Sequence, residues 1–285
     1  MARPALTNRD AMTDQNSPAL VETSFPTLLR GWRRRRRLSQ LDLSLTSGVS
    51  QRHLSFLESG RANPSRNMIL QLSEALDVPL RDRNSWLTAA GFAPVFRARA
   101  LDDPQMALVM SAVQMMLVAH EPYPALALDR AWNITRSNSA FDRLIKMVGD
   151  DVWVRVGGAQ PNLLRLFFHP QGIRTWVSNW ASVGPLVWRR AQKEAEAVGG
   201  QGMAEVLDAL SPYQDAQVLW SAMDVALVPI LPFNLQMGAV CLSMFALVST
   251  FGTAQDVTAD ELRIETLWPA DPETEGLFKA MAGGA

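Results

Sequence analysis

A single cysteine, Cys241, stands in 285 residues, so the chain has no second thiol for an internal disulfide and no thiolate set for a metal. In its apolar surroundings that thiol reads as a small core residue in a reducing compartment. Histidine is nearly as scarce: His53, His120 and His169 lie far apart, without the spacing that puts two imidazoles on one helix face. Neither a lysine-bearing phosphate loop nor a nucleophile elbow occurs, and Gly199-Gly200-Gln201-Gly202 reads as a flexible joint. Catalysis, metal and cofactor are therefore not expected.

Charge is missing altogether between Val225 and Gln255, yet Pro229, Pro232, Asn234, Gln236 and Gly238 interrupt that stretch. No run reaches the roughly 18 to 20 apolar residues of a spanning helix, so a membrane is not expected. Two buried strands fit better, Val225 to Leu231 and Val240 to Val248, joined near Phe233 to Gly238. The first 24 residues lack an apolar secretion core and read as a disordered tail, which places the protein in the cytoplasm.

What is present speaks most clearly between residues 38 and 60. Ser39 can cap a helix carrying Leu41, Leu43 and Leu45, which Gly48 ends by adopting a left-handed backbone. Ser50 caps a second helix whose Leu54 and Leu57 form a buried stripe, closed by Gly60. Gln51, Arg52 and Ser55 then point outward from its first half. Gln suits the N6 and N7 of adenine, Arg suits guanine, and a helix fits the major groove. Further helices are expected over Phe25 to Arg36, Ser65 to Leu76 and Asp82 to Ala90, making a five-helix all-α domain over residues 25–92.

Charge agrees. Residues 25–99 hold thirteen Arg and five acidic residues, +8, whereas residues 100–285 hold twelve basic and twenty acidic residues, −8. A positive domain attracts a polyanion, with binding that weakens as salt rises. The run Arg33 to Arg37 reads either as a solvated or localisation patch or as a set of phosphate contacts.

The caps, turn glycine, apolar register and Glu58-x-Gly60 ending resemble the phage-repressor-like, xenobiotic-response-element type of helix-turn-helix. That resemblance implies that Gln40 contacts phosphate, that Gln51 and Arg52 read bases, and that Arg33 pairs with Glu58. Phe56 departs from it, standing where many relatives carry a polar reader. The expected DNA-binding set is Gln40, Ser50, Gln51, Arg52, Ser55, Arg61 and Arg66.

With 285 residues, 48% of them apolar, a second domain is expected, entered through a linker over residues 93–104. Ala125 to Leu128 and Trp132 to Thr135 suggest a hairpin, followed by a helix capped from Ser137, Asn138 or Ser139. A helical block covers Asn162 to Phe168, Gly172 to Val183, Leu186 to Val198 and Ala204 to Leu210. Thr258-x-x-Glu261 suggests a capped turn, and Leu262 to Glu265 a half-buried strand. The sum is an α+β domain over residues 105–275, an antiparallel sheet with helices, followed by a tail over residues 276–285.

Leu128-Asp129-Arg130-x-Trp132-Asn133, Asn162-Leu163-Leu164-Arg165-Leu166 with Phe168-His169-Pro170, Asn179-Trp180, Ser249 to Thr253, and Gln255 to Glu265 resemble the PAS-like, MmyB-type ligand-binding domain. The resemblance implies a pocket for an elongated apolar molecule such as a fatty acid. Its candidate lining is Trp132, Phe168, His169, Arg174, Trp176 and Trp180. Trp176, Trp180 and Trp188 also recur at helical spacing, which equally describes a core stripe, and His169 reads as a hydrogen-bonded structural residue. Arg174 is the better carboxylate anchor, because a guanidinium holds a carboxylate bidentately. The chain is thus expected to be a homodimeric, DNA-binding transcriptional regulator that senses a small apolar ligand. The alternative is a regulator whose second domain serves only assembly.

Overall fold

The computed structural model describes residues 24–198, 201–213 and 229–283. The chain divides into two compact units, residues 1–77 with 85–93, and residues 78–84 with 94–285. Residues 1–23 of the expected tail and most of the expected strand Val225 to Leu231 lie outside the described residues.

The first unit is helical: α1 (Phe25–Arg35), α2 (Gln40–Ser47), α3 (Gln51–Glu58), α4 (Arg66–Ala75) and, divided between the two units, α5 (Leu80–Ala89). Each start has a local cause. The Ser39 hydroxyl accepts from Asp42 N–H at 3.0 Å while the Asp42 carboxylate accepts from Ser39 N–H at 2.8 Å, a complete capping box. Ser50 and Ser65 accept from His53 N–H and Met68 N–H, so α3 and α4 also begin on serine caps. Gly48 sits at φ +70, where a side chain would strain the backbone, and this lets α3 start at Gln51 after only three intervening residues.

Leu29, Leu43, Leu54, Leu57, Ile69 and Leu72 are fully buried together with Trp86, which meets Phe25 edge-on at 5.7 Å. Each such leucine contributes about 1.5–3 kcal/mol by leaving water. The expected apolar face of α2 is narrower than its three leucines suggested: Leu43 is buried, but Leu41 and Leu45 face solvent. On a helix Leu41 and Leu45, four residues apart, share one face and Leu43 lies nearly opposite, so burying Leu43 turns the other two to solvent.

The second unit carries a five-stranded antiparallel sheet in the order β2-β1-β5-β4-β3, built from β1 (Ala125–Leu128), β2 (Ile134–Ser137), β3 (Phe233–Met237), β4 (Val240–Thr250) and β5 (Arg263–Pro269). Successive side chains alternate faces. Leu126, Leu128, Leu242, Met244 and Leu267 enter the larger core, under α7 (Ser139–Val148), α8 (Val152–Val156), α9 (Leu163–Phe168), α10 (Trp180–Val198) and α11 (Gln201–Leu210). Ala125, Ala127 and Ile264 point the other way, against Val113 and Leu117 of α6 (Ala107–Ala119). A short α12 (Val257–Glu261) precedes β5, and α13 (Pro272–Gly283) follows it.

Several expectations shift. The expected connection near Phe233 to Gly238 is itself a strand, β3, which pairs with β4 from Phe233 opposite Met244 to Met237 opposite Val240, while its Asn234 N–H donates to the Asn179 side chain and its carbonyl accepts from Ser178 N–H. The expected helix Gly172 to Val183 is broken: a 3-10 turn spans Arg174–Trp176, and Val177 bridges to Leu235 before α10 begins. Asp256, rather than Thr258, caps α12 by accepting from Thr258 N–H at 2.9 Å. The tail expected from residue 276 is part of α13, whose Phe278 is buried. Cys241 is half-buried on β4 and unpaired.

Candidate nucleic-acid interface and ligand cavity

Burial of Leu54, Leu57 and Glu58 fixes which way α3 faces, leaving Gln51, Arg52 and Ser55 exposed, as are Ser50, Arg61 and Arg66. The Arg52 guanidinium lies 5.5 Å from the Phe56 ring centroid, so the aromatic side chain that replaces a polar reader supports the arginine beside it.

The back of α3 is clamped at one carboxylate. Arg33 donates to Glu58 through Nε at 2.6 Å and Nη2 at 2.8 Å, in the bidentate geometry that the resemblance implied. Arg30 donates to the Glu58 carbonyl, and the Gln40 amide donates to Glu58 Oε2 at 3.0 Å. The expected phosphate contact, Gln40, is thus half-buried and engaged within the unit. Burial pushes the Glu58 carboxyl up, but the bonds from Arg33 and Gln40 outweigh it and hold the group below its ordinary range. Arg33 is correspondingly raised, chiefly by the bond to Glu58.

The arginine run divides. Arg33 is spent on Glu58, and Arg36 donates to the carbonyls of Leu76 and Asp77 at 2.8 and 2.5 Å. Arg34, Arg35 and Arg37 are exposed, with Arg35 resting over Trp32 at 5.2 Å.

In the second unit a cavity of about 120 Å³ lies between the sheet and α7, α9 and α10. Trp132 reaches it from the β1–β2 turn. Asp129 shapes that turn by accepting from Ala131 N–H at 2.8 Å and Asn133 N–H at 2.9 Å, and Trp132 takes up φ +65 there. Leu126, Phe141, Ile145, Phe167 and Leu267 supply apolar walls, while Arg190 and Glu265 are the charged groups among the described lining.

Of the six residues expected to line a pocket, Trp132 does so and the other five do not. Phe168 is fully buried in the aromatic cluster with Trp180 and Trp188, at 5.4 and 5.2 Å. Trp176 and Trp180 pack against the same core, but Trp176 lies on the 3-10 turn before α10, so the three tryptophans do not share one helix. His169 accepts from Gln171 N–H at 3.1 Å and meets Tyr213 edge-on; burial and the Arg165 charge lower its pKa. Arg174 donates to the Tyr213 carbonyl and lies 4.9 Å from the Trp180 ring centroid. Arg190 is the guanidinium at the cavity instead.

Sequence reading missed a charged cluster around Trp132. The Arg190 and Arg263 guanidiniums stand 4.6 and 4.7 Å from the Trp132 ring centroid. Glu194 accepts from Trp132 Nε1 at 2.7 Å, from Arg190 Nε at 2.9 Å and from Arg263 Nη1, while Glu265 accepts from Arg190 Nη2 at 2.6 Å. Burial lowers the Arg190 pKa, but Glu265 and Glu194 more than offset it and the net shift is upward. The local signal was there in Arg190-x-x-x-Glu194, an i,i+4 pair, and in the alternation of Arg263 and Glu265 along a strand that carries two charges on its inner face.

Among the described residues no cluster of three or more potential metal ligands occurs, and no helix is long and apolar enough to cross a membrane. Two family models match the chain. One, described as helix-turn-helix, covers residues 29–82, and the other, described as MmyB-like transcription regulator ligand binding domain, covers residues 109–281, more than half of the chain. No curated protein matches it.

Proposed function

Because the chain belongs to the MmyB-like transcription regulators, joining a helix-turn-helix to a ligand-binding domain, we propose that it is a cytoplasmic, non-enzymatic homodimer that releases or engages its operator when a small apolar molecule fills the second unit. The observation that carries this reading is the outward α3 face of Gln51, Arg52 and Ser55, held from behind by a clamped Glu58. The apolar cavity and the sheet-and-helix architecture support a PAS-like sensor, with fatty acids as its elongated candidate ligands. Ligand must favour one DNA-binding arrangement over the other, since equal affinity for both shifts nothing. Equal operator affinity with and without the molecule that copurifies, identified by native mass spectrometry, removes the sensor role and leaves DNA binding intact.

Replacing Arg52 by Ala is expected to relax base preference at one operator position by about 1–3 kcal/mol. Gln40→Ala is expected instead to weaken specific and random duplexes alike, because a phosphate carries no sequence. Binding titrations on duplexes selected from a random pool separate the two; parent-like behaviour of both variants contradicts the assignment of α3 as reader.

Support for the homodimer comes from α6. Its thirteen residues carry no charge, Val113 and Leu117 face inward, and Leu108 and Met115 are 80% and 62% exposed. An uncharged apolar face can meet its own copy across a two-fold axis without like-charge repulsion, and a dimer then presents two recognition helices about 34 Å apart. The double substitution Met115→Glu, Val118→Glu is expected to halve the mass in sedimentation equilibrium while leaving the melting temperature near that of the parent. An unchanged mass excludes α6 as the interface.

A further inference from the structure

The stretch from Asp256 to Glu265, singled out in the sequence, belongs to the second unit, and only its last residue lines the apolar cavity. Its bonds show where the rest is used. The first turn of α12 holds residues 97 and 99: Val257 N–H donates to the Arg97 carbonyl at 2.7 Å, the Thr258 hydroxyl to the Arg99 carbonyl at 2.7 Å, and Arg99 Nη1 to the Asp256 carboxylate at 2.6 Å. The last turn holds the start of α5. Leu80 N–H donates to the Asp260 carboxylate at 3.3 Å, and Arg81 donates to Glu261 through Nε at 2.6 Å and Nη2 at 2.8 Å. All these partners lie in the second unit, yet α5 runs on into residues that belong to the first, where Trp86 and Leu87 are fully buried.

Glu261 also faces the cavity side. Its Oε1 accepts from Arg130 Nη1 at 3.1 Å, and Arg130 stands two residues before Trp132, in the turn that walls the cavity. The stretch meets the same cluster at its other end, because β5 carries Arg263 and Glu265, which bond Glu194 and Arg190 around Trp132. Only Leu262, itself buried, separates α12 from β5. One buried residue leaves little slack, so a shift of β5 or of the Trp132 turn is passed to Glu261. The Arg81 side chain is 44% exposed, and a bond in such a place adds little to stability and can exchange.

Resting on the ligand-sensor reading above, we propose that Glu261 is the residue through which the cavity acts on α5: it is shared between Arg130 on the cavity side and Arg81 on the α5 side, and filling the cavity changes that sharing. Coupling requires two arrangements that both sites bias. Here they are Glu261 bonded to both arginines and Glu261 released from Arg81. The second frees the start of a helix whose later residues are part of the DNA-binding unit, and operator affinity changes with it.

The test uses the full chain, a duplex selected from a random pool and two ways of disturbing the cavity: dodecanoate as the probe, and Trp132→Phe, which needs no ligand. Each is expected to change the operator Kd of the parent by about fivefold or more, the lower end of measured couplings. In Glu261→Gln and in Arg81→Gln both changes are expected to fall below about twofold, while calorimetric titration shows dodecanoate bound as in the parent and thermal melting shows the fold kept. Arg81→Lys, which keeps the charge, is expected to restore part of the response. Changes of equal size in the parent and in Glu261→Gln overturn this inference and leave the sensor reading standing. If dodecanoate does not bind, the Trp132→Phe comparison decides: an effect that disappears in Glu261→Gln upholds the coupling, and one that persists, or is absent from the parent, overturns it. The sensor reading is judged separately, by the copurified molecule.

Discussion

Replacing Arg33 by Ala is expected to destabilise the helical unit by about 3–5 kcal/mol, the usual result of stranding one member of a buried ion pair. The Glu58 side chain is 5% exposed and that of Arg33 is 13% exposed, so neither charge has water to fall back on. Without Arg33, Glu58 keeps the Gln40 amide and a longer 3.9 Å approach of Arg30, too little to hold a full charge away from solvent. That is a large share of the roughly 5–15 kcal/mol that such a unit has in total. Urea denaturation followed by circular dichroism measures the change, and a shift under about 1 kcal/mol contradicts the clamp. A pH signature separates it from generic damage. Because the folded Glu58 pKa is depressed, its stabilisation is fully present above the ordinary carboxylate pKa and disappears as pH falls through the folded value. In Glu58→Gln that part of the acid dependence is expected to vanish.

Trp132→Ala is expected to cost the sheet-and-helix unit about 3–5 kcal/mol through lost burial and an unfilled cavity. The indole is 2% exposed and does three things at once: it walls the cavity, underlies the Arg190 and Arg263 guanidiniums, and donates to Glu194. Trp132→Phe keeps a ring for both cations but removes the Nε1 hydrogen, so it is expected to cost about 1.5–3 kcal/mol, the range for a bond to a charged group. Differential scanning calorimetry of the full chain resolves the loss as a lowered transition. Equal penalties for the two variants mean that the hydrogen bond, and not the stacking, dominates.

Local chemistry was legible in the sequence and long-range chemistry was not. Ser39 and Ser50 announce helix starts because a cap acts over three residues, and of the three candidates Ser137, Asn138 and Ser139 it is Asn138 that accepts from Phe141 N–H. Gly48 announced its turn for the same reason. The Arg33–Glu58 pair, 25 residues apart, was reachable only through the resemblance. The cavity was misread because its polar end joins Arg190 on a helix to Glu265 on a strand 75 residues later, and no periodicity connects them. Arg174 and the tryptophans after it share apolar and cationic character with Arg190 and Trp132; what distinguishes them is the direction they face, set by the bridge between Val177 and Leu235 that breaks the expected helix.

The Glu58 clamp also bears on how the reader meets its duplex. Arg33 alone occupies both carboxylate oxygens, so Gln40 can swing to a phosphate while the negative charge stays neutralised. On the proposed Gln40 phosphate contact, docking would trade one amide bond for another without unveiling a bare anion beside a polyanion. A rod already locked in its bearing before contact loses little motional freedom on seating, and more of each base-edge contact survives as affinity.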